Sequence, residues 1–148
     1  MTIPEADRRL WELNEEECRE LLGTAVIGRL AFTEGALPAV QPVHFTLLGG
    51  HVFIPTRPGS KVAAATANTV VAFEADDFDP RTRTGWSVTT IGPSRLLTDP
   101  DEMAALDALG LRPWAPTPHR CYIAVRTSIW HGRRLSAPTL SGALDTAS

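Results

Sequence analysis

The chain has 148 residues, enough for one domain around a single core, and 43% of them are hydrophobic, enough to fill it. Its formal net charge of −3 gives no general attraction to nucleic acid, and no basic stripe interleaved with aromatics offsets that, so nucleic acid is excluded as a partner. Residues 1–9 mix acids with arginines instead of opening an apolar run, no segment is long enough to cross a bilayer, and Cys18 and Cys121 stand far apart outside any ligand pattern. The expectation is a cytoplasmic protein with no membrane partner and with reduced thiols filling its core.

After an N-terminal arm over 1–12, the run Leu13-Asn14-Glu15-Glu16-Glu17-Cys18 reads as a helix start. Asn14 caps it, Glu17 stands at the capping-box position, and Leu13 can staple against Cys18. Gly23 should end the helix. Over 25–32, Val26, Gly28, Leu30 and Phe32 alternate with Ile27, Arg29 and Ala31, which is strand periodicity with one small residue where a backbone approaches closely. A turn at Thr33-Glu34-Gly35 leads to a second strand region, 37–48, whose Pro38 and Pro42 place part of it at an edge or bulge. Gly49-Gly50 then connects tightly to a strand over 51–54.

A basic loop follows, and beyond it an alanine-rich helix over 61–67 and a strand over 70–75. Residues 76–84 are polar, include Pro80 and lack apolar periodicity, so they read as a long loop. Strand character resumes at Trp86 and runs to Leu97 with a bend at Gly92-Pro93. Thr98-Asp99-Pro100-Asp101-Glu102 is a helix entry, with proline in the first turn and acids at the positive end, and the helix should stop near Gly110. Prolines hold an irregular connection around Trp114, a last strand covers 121–130, and the tail over 136–148 is expected to be disordered. The sum is six strands with three helices and no βαβ alternation: a mainly β chain with minor helices, in an antiparallel barrel.

The loop between strand and helix, Pro55-Thr56-Arg57-Pro58-Gly59-Ser60-Lys61, carries the most chemistry. A helix start offers unpaired N–H groups, Lys61 and Arg57 offer charge, and Ser60 and Thr56 offer hydroxyl donors, a set that suits a phosphate. It is not a Walker sequence, and the same residues also read as a solvated turn with Ser60 as a helix cap. His44, His51, His119 and His131 never fall at the spacing that lets two imidazoles meet one metal on a helix, and no Gly-x-Ser-x-Gly elbow is present.

Taken in order, Gly28-Arg29-Leu30-Ala31-Phe32, Gln41-Pro42-Val43-His44-Phe45, Arg57-Pro58-Gly59-Ser60-Lys61, Phe73-Glu74, Gly85-Trp86-Ser87-Val88 and Trp130-His131-Gly132-Arg133-Arg134 resemble the flavin-binding split-barrel proteins related to pyridoxamine 5′-phosphate oxidase. The resemblance covers residues 13–135, which would form one flavin-binding domain. It implies a six-stranded antiparallel split β-barrel that forms a homodimer with FMN in grooves between the subunits. By that similarity Ser60 and Lys61 would hold the cofactor phosphate, Thr56 and Arg57 would assist, and the strand carrying Gln41, Pro42, Val43 and His44 would pass along the flavin ring. Trp86 and Ser87 would approach from the neighbouring subunit, and Val43, Phe45 and Trp86 could form an apolar slot for the ring. The same side chains have plainer readings, Trp86 as core and Arg29 as a surface residue paired with Glu74.

The implied function is an FMN-dependent oxidoreductase passing hydride or electrons to or from a small-molecule substrate. The oxidase proper grips pyridoxal phosphate with an arginine and a histidine near its C-terminus; here the matching stretch is His131-Gly132-Arg133-Arg134 followed by a tail, so that reaction is not expected. The deazaflavin F420 is the rival cofactor, with Arg81, Arg83, Arg133 and Arg134 available for its acidic tail. A non-enzymatic flavin or haem carrier, with His131 or His119 as haem ligand, and a ligand-free interaction barrel are the readings outside the enzyme class.

Overall fold

The structure, a computed structural model, describes residues 9–110 and 121–136. The start of the expected arm, the connection around Trp114, His119 and nearly all of the expected tail lie outside the described residues. Nine strands and three helices follow in the order β1 (Arg9–Glu12), α1 (Glu15–Thr24), β2 (Ile27–Glu34), β3 (Leu37–His44), β4 (Thr46–Leu48), β5 (His51–Thr56), α2 (Lys61–Thr66), β6 (Thr69–Asp79), β7 (Thr84–Leu97), α3 (Pro100–Asp107), β8 (Cys121–Arg126) and β9 (Ile129–Ser136). Among the described residues no helix is long and apolar enough to cross a membrane.

Every strand pair is antiparallel, in the sheet order β3-β2-β6-β7-β8-β5-β4, with β9 pairing both β7 and β1. The architecture turns on β7. Its 14 residues are long enough to serve two partners in succession, β9 along Gly85 to Ile91 and β8 along Ser94 to Leu97. The exchange falls at Gly92-Pro93. Proline has no N–H to give a ladder, and a Cβ at Gly92 would overlap the carbonyl oxygen of Arg126, so a bare backbone is required where β8 passes. At this point the sheet divides, β9 continuing on one stretch of β7 and β8 on the other.

Six strands were expected and nine are present. The region 37–48 is two strands because the chain breaks pairing at Phe45, whose side chain turns into the core against Phe73 (ring centroids 4.6 Å apart). The last strand is likewise two, interrupted at Thr127-Ser128, where both the N–H and the hydroxyl of Thr127 donate to the Gly50 carbonyl at 3.0 and 2.9 Å. The third addition is β1, four exposed residues with no alternating apolar pattern, held by register with β9 rather than by burial. The polar stretch 76–84 is mostly strand as well. Asp76 to Asp79 stay in register with Thr84 to Ser87, leaving only a short turn, because a hairpin ladder needs backbone partners and not apolar side chains.

Inside the barrel lie Leu30, Val52, Ile54, Phe73, Val88, Ile123 and Val125, each 0 or 1% exposed. The capping box forms as the residues dictate: Asn14 Oδ1 accepts from Glu17 N–H and the Glu17 carboxylate accepts from Asn14 N–H, both at 2.8 Å. This end of α1 docks on β9 through the Leu13 N–H to the Gly132 carbonyl at 2.9 Å, and Gly132 is bare because a Cβ there would overlap Cys18 Sγ. Both cysteines are buried free thiols, and loss of solvation raises their pKa values, with Glu17 and Glu15 adding to the effect at Cys18. Helix α3 covers a second cluster of Leu97, Leu106 and Tyr122 on the outside of the barrel.

Gly28 faces the Phe73 ring, and a Cβ there would overlap that ring and come 2.9 Å from the Glu74 carbonyl oxygen. Phe73 is fully buried and cannot yield cheaply. Gly28→Ala should therefore lower stability by roughly 1–3 kcal/mol in a denaturant titration, as overpacked cores do. Gly23→Ala, in the last turn of α1 with nothing within 4 Å, should leave stability unchanged or raise it. Equal midpoints for Gly28→Ala and the parent chain would contradict the packing described.

Candidate functional site

Strand β5 delivers the basic loop. Thr56 is its last residue, opposite Cys121. Arg57-Pro58-Gly59-Ser60 then forms a turn closed by the Ser60 N–H donating to the Arg57 carbonyl at 3.1 Å, with Pro58 in the second position and a left-handed φ of +79° at Gly59 in the third. Ser60 caps α2: its Oγ accepts from the Ala63 N–H at 3.1 Å and lies 3.1 Å from Thr56 Oγ1. The helix-cap reading of Ser60 is thus realised. It leaves the pair of hydroxyls with one proton directed between them and one free to donate outward. Arg57 and Lys61 flank them, exposed, with no ion pair to any described residue.

The four sequence candidates on β3 divide by strand alternation. Val43 lies opposite Gly28 and is only 6% exposed, so its side chain belongs to the core, as does that of Phe45 at 5%. The apolar slot expected from Val43 and Phe45 is therefore not a surface feature, because strand alternation turns Val43 inward and Phe45 packs on Phe73. Gln41 shares the face of Leu30 and Val43 yet is exposed, since β3 is the end strand of the sheet and the barrel is open there. Pro42 and the half-buried His44 take the outer face, opposite Arg29 and Ile27. Strand β3 also packs against β5, the strand that leads into the loop.

Trp86 and Ser87 lie on β7, three strands from β3 in the sheet, roughly 14 Å at the usual spacing of strands. The fold thus gathers Thr56, Arg57, Ser60 and Lys61 in one loop and holds Trp86 and Ser87 apart from the β3 residues. Trp86 packs on the core cluster, the plainer of its two readings, whereas Ser87 faces Asp76 on one side and Arg133 on the other.

On the outer face the structure assembles a group that the sequence showed only in part. Arg29 Nη1 is 3.1 Å from both Glu74 Oε1 and Asp76 Oδ2, beside Ala31, Val40 and Ala72 in a cavity of about 350 Å³. The pairing with Glu74 was expected; Asp76 was missed because its polar neighbours read as loop, although Phe73-Glu74-Ala75-Asp76 keeps strand alternation. Glu74 is pushed up from its ordinary 4.5 to about 7, first by loss of solvation and then by the Asp76 carboxylate, with Arg29 pulling the other way. One cation cannot fully neutralise two acids.

Because the folded protein holds the Glu74 proton more tightly than the unfolded chain, its contribution to stability is complete below about pH 4.5 and is lost as pH rises through about 7. Thermal midpoints of the parent chain should fall across that window more steeply than those of Glu74→Gln. Parallel pH profiles for the two would contradict the assignment.

Comparison with known proteins agrees with this architecture. The pyridoxamine 5′-phosphate oxidase family profile matches residues 14–131. The uncharacterized protein Rv0080 of Mycobacterium tuberculosis is 39% identical over 139 residues, covering 90% of this chain and 91% of that one. A crystal structure from Corynebacterium glutamicum that carries the family name superposes with a TM-score of 0.76 at 29% identity, over 87% of this chain and 99% of that one. The FAD binding protein of Mycobacterium smegmatis superposes with a TM-score of 0.71 at 31% identity, over 84% of this chain and 98% of that one. The chain is a split-barrel protein that belongs to the pyridoxamine 5′-phosphate oxidase family.

Proposed function

We propose that this protein binds a flavin nucleotide, FMN in the first instance, and passes hydride or electrons between it and a small organic molecule. The observation that carries the reading is the donor set of the β5–α2 loop. Two hydroxyls 3.1 Å apart are flanked by two cations that no described acid neutralises. Those groups match a phosphate in charge and in hydrogen-bond sense, since phosphate oxygens only accept. Lys61 and Arg57 would supply the charge, Ser60 and Thr56 the outward hydroxyl donor, and the exposed Gln41 amide would donate to and accept from a ring edge. The Mycobacterium smegmatis neighbour, named as an FAD binding protein, supports a flavin in this fold.

A bound flavin supplies the electron-accepting ring that no side chain of the chain offers. The protein's own part is to hold the phosphate, to orient the ring along β3 and to limit access of water. No general acid or base is needed at the loop, which presents cations and hydroxyls alone.

The reading includes a homodimer. On the outer face the register aligns Val40, Ala31, Ala72, Ile91 and Ile129 in one row across five strands, an apolar stripe in which Val40 and Ile129 are 66% and 50% exposed. A second copy covering that stripe would remove it from water and bring Trp86 and Ser87 of each protomer toward the other's β3 edge. Val40→Glu combined with Ile129→Glu should convert a dimer to monomer in sedimentation velocity; a monomeric parent chain would remove the dimer from the proposal.

The absorption spectrum of freshly purified protein tests the cofactor. A yellow flavin spectrum released on denaturation supports the reading, and chromatography of the released flavin separates FMN from FAD. Affinity for added F420 without affinity for either flavin, or a Soret band lost on replacing His131, would overturn it. Lys61→Ala should weaken FMN by about 2 kcal/mol, about thirtyfold in Kd, because a charge-assisted contact is removed. Equal dissociation constants would break the link between the loop and the phosphate.

A further inference from the structure

A second cationic place lies at the other end of β5, five residues from Thr56 and so roughly 17 Å away along the strand. Here a cleft of about 500 Å³ opens on the outer wall where β5, β8 and β7 run side by side. Arg126 closes β8 directly opposite His51 and lies level with Pro93 of β7. Arg95 stands two residues along β7, opposite Ala124 and on the same face, which makes it a diagonal neighbour of Arg126 with Cβ atoms about 7–8 Å apart. Asn68, in a left-handed turn with φ +57°, completes the polar rim.

Among the described residues no aspartate or glutamate lines this cleft, although acids outnumber basic residues 17 to 14 in the chain. Neither Arg95 nor Arg126 makes an ion pair with a described residue. Two guanidinium groups beside each other on one sheet face repel, and a fold that keeps them without a counter-charge leaves room for an external one. Two arginines at that separation match the oxygens of one phosphate or carboxylate held between them.

The cleft is also built rather than incidental. Thr127 fixes the chain just past Arg126 through its two bonds to the Gly50 carbonyl, and the bare Gly92 lets the Arg126 carbonyl sit against β7. His51 is held by its Nδ1–H donating to the Gly49 carbonyl at 3.3 Å and by its ring stacking on Phe53, centroids 5.6 Å apart and planes 29° from parallel. Further along the same row, past Arg126, the cleft is lined by Pro93 and by its partner in register Val70, which is 68% exposed. The walls therefore offer two apolar surfaces beneath a cationic rim, which selects for a flat organic body carrying an oxyanion.

We propose that this cleft is a binding site for a small aromatic oxyanion of the phosphomonoester class, its charge held between Arg95 and Arg126 and its ring between His51 and the Val70-Pro93 wall. The site is independent of the flavin reading, since it shares no residue with the β5–α2 loop.

Isothermal titration of the full chain with phenyl phosphate, in saturating FMN so that the β5–α2 loop is occupied, tests it, with benzyl alcohol as the uncharged comparator. Saturable phenyl phosphate binding with no heat from benzyl alcohol is expected. Arg95→Gln and Arg126→Gln should each weaken it about tenfold, and the double variant should abolish it. Lys61→Ala should leave it unchanged. Both arginines are exposed, so circular dichroism of the variants should match the parent. As a second readout, amide resonances of Val70 and Ala124 should shift on titration in the parent chain. Absence of saturable binding, binding lost in Lys61→Ala and kept in the arginine variants, or shifts confined to residues of the β5–α2 loop would each overturn the proposal.

Discussion

The exchange of partners along β7 is the constraint on which the rest of this structure depends. One strand cannot keep a straight ladder to β9 and then to β8 without a point where hydrogen bonding to one stops and to the other begins. Gly92-Pro93 supplies that point, through a residue with no side chain and a residue with no donor. From it follows the gap between β8 and β9 at Thr127-Ser128, since each of the two pairs with its own stretch of β7. Both cationic regions inherit their positions from it as well, since β5 is anchored on β8 along its whole length and presents one at each end.

Charge is distributed on the same frame with little waste of buried surface. Buried polar side chains are few among the described residues, and most are bonded: Thr90 donates to the Ile129 carbonyl at 2.9 Å and Ser94 to the Thr66 carbonyl, while the buried indole N–H of Trp130 meets no acceptor among the described residues. The group strained electrostatically is the Arg29, Glu74 and Asp76 cluster, half-shielded beside Ala31, Val40 and Ala72 on the outer face. Strand alternation places it there. The rows of small and branched residues beside it lower the local polarity, and that loss of solvation is what keeps Glu74 protonated to higher pH.

Much of this was legible along the chain because local chemistry decided it. The capping box at Asn14 and Glu17, the proline-led start of α3, the turn at Pro58-Gly59 and the bend at Gly92-Pro93 each rest on one or two residues whose backbone preferences leave few alternatives. Less was legible where neighbours decide. β1 shows no apolar alternation because it is held only by its ladder to β9. The Asp76 to Asp79 extension of β6 looks like loop because three of its four residues are aspartates and Phe78 alone gives no apolar alternation. Val43 and Phe45 read as the lining of a slot, and strand alternation and the contact of Phe45 with Phe73 place them in the core instead.

The sequence by itself determined the mainly β character, the helix starts, the basic loop with its hydroxyls and cations, and, through its ordered short motifs, the family. Those follow from residue type and spacing, which act over a few positions. Only the tertiary structure decided that Ser60 and Thr56 share a hydrogen bond, that Arg29 meets two carboxylates, and that Arg95, Arg126 and His51 gather around one acid-free cleft. Each of these joins residues separated along the chain or brought level by register, and register across a sheet is fixed by the packing of the whole barrel, not by any single strand.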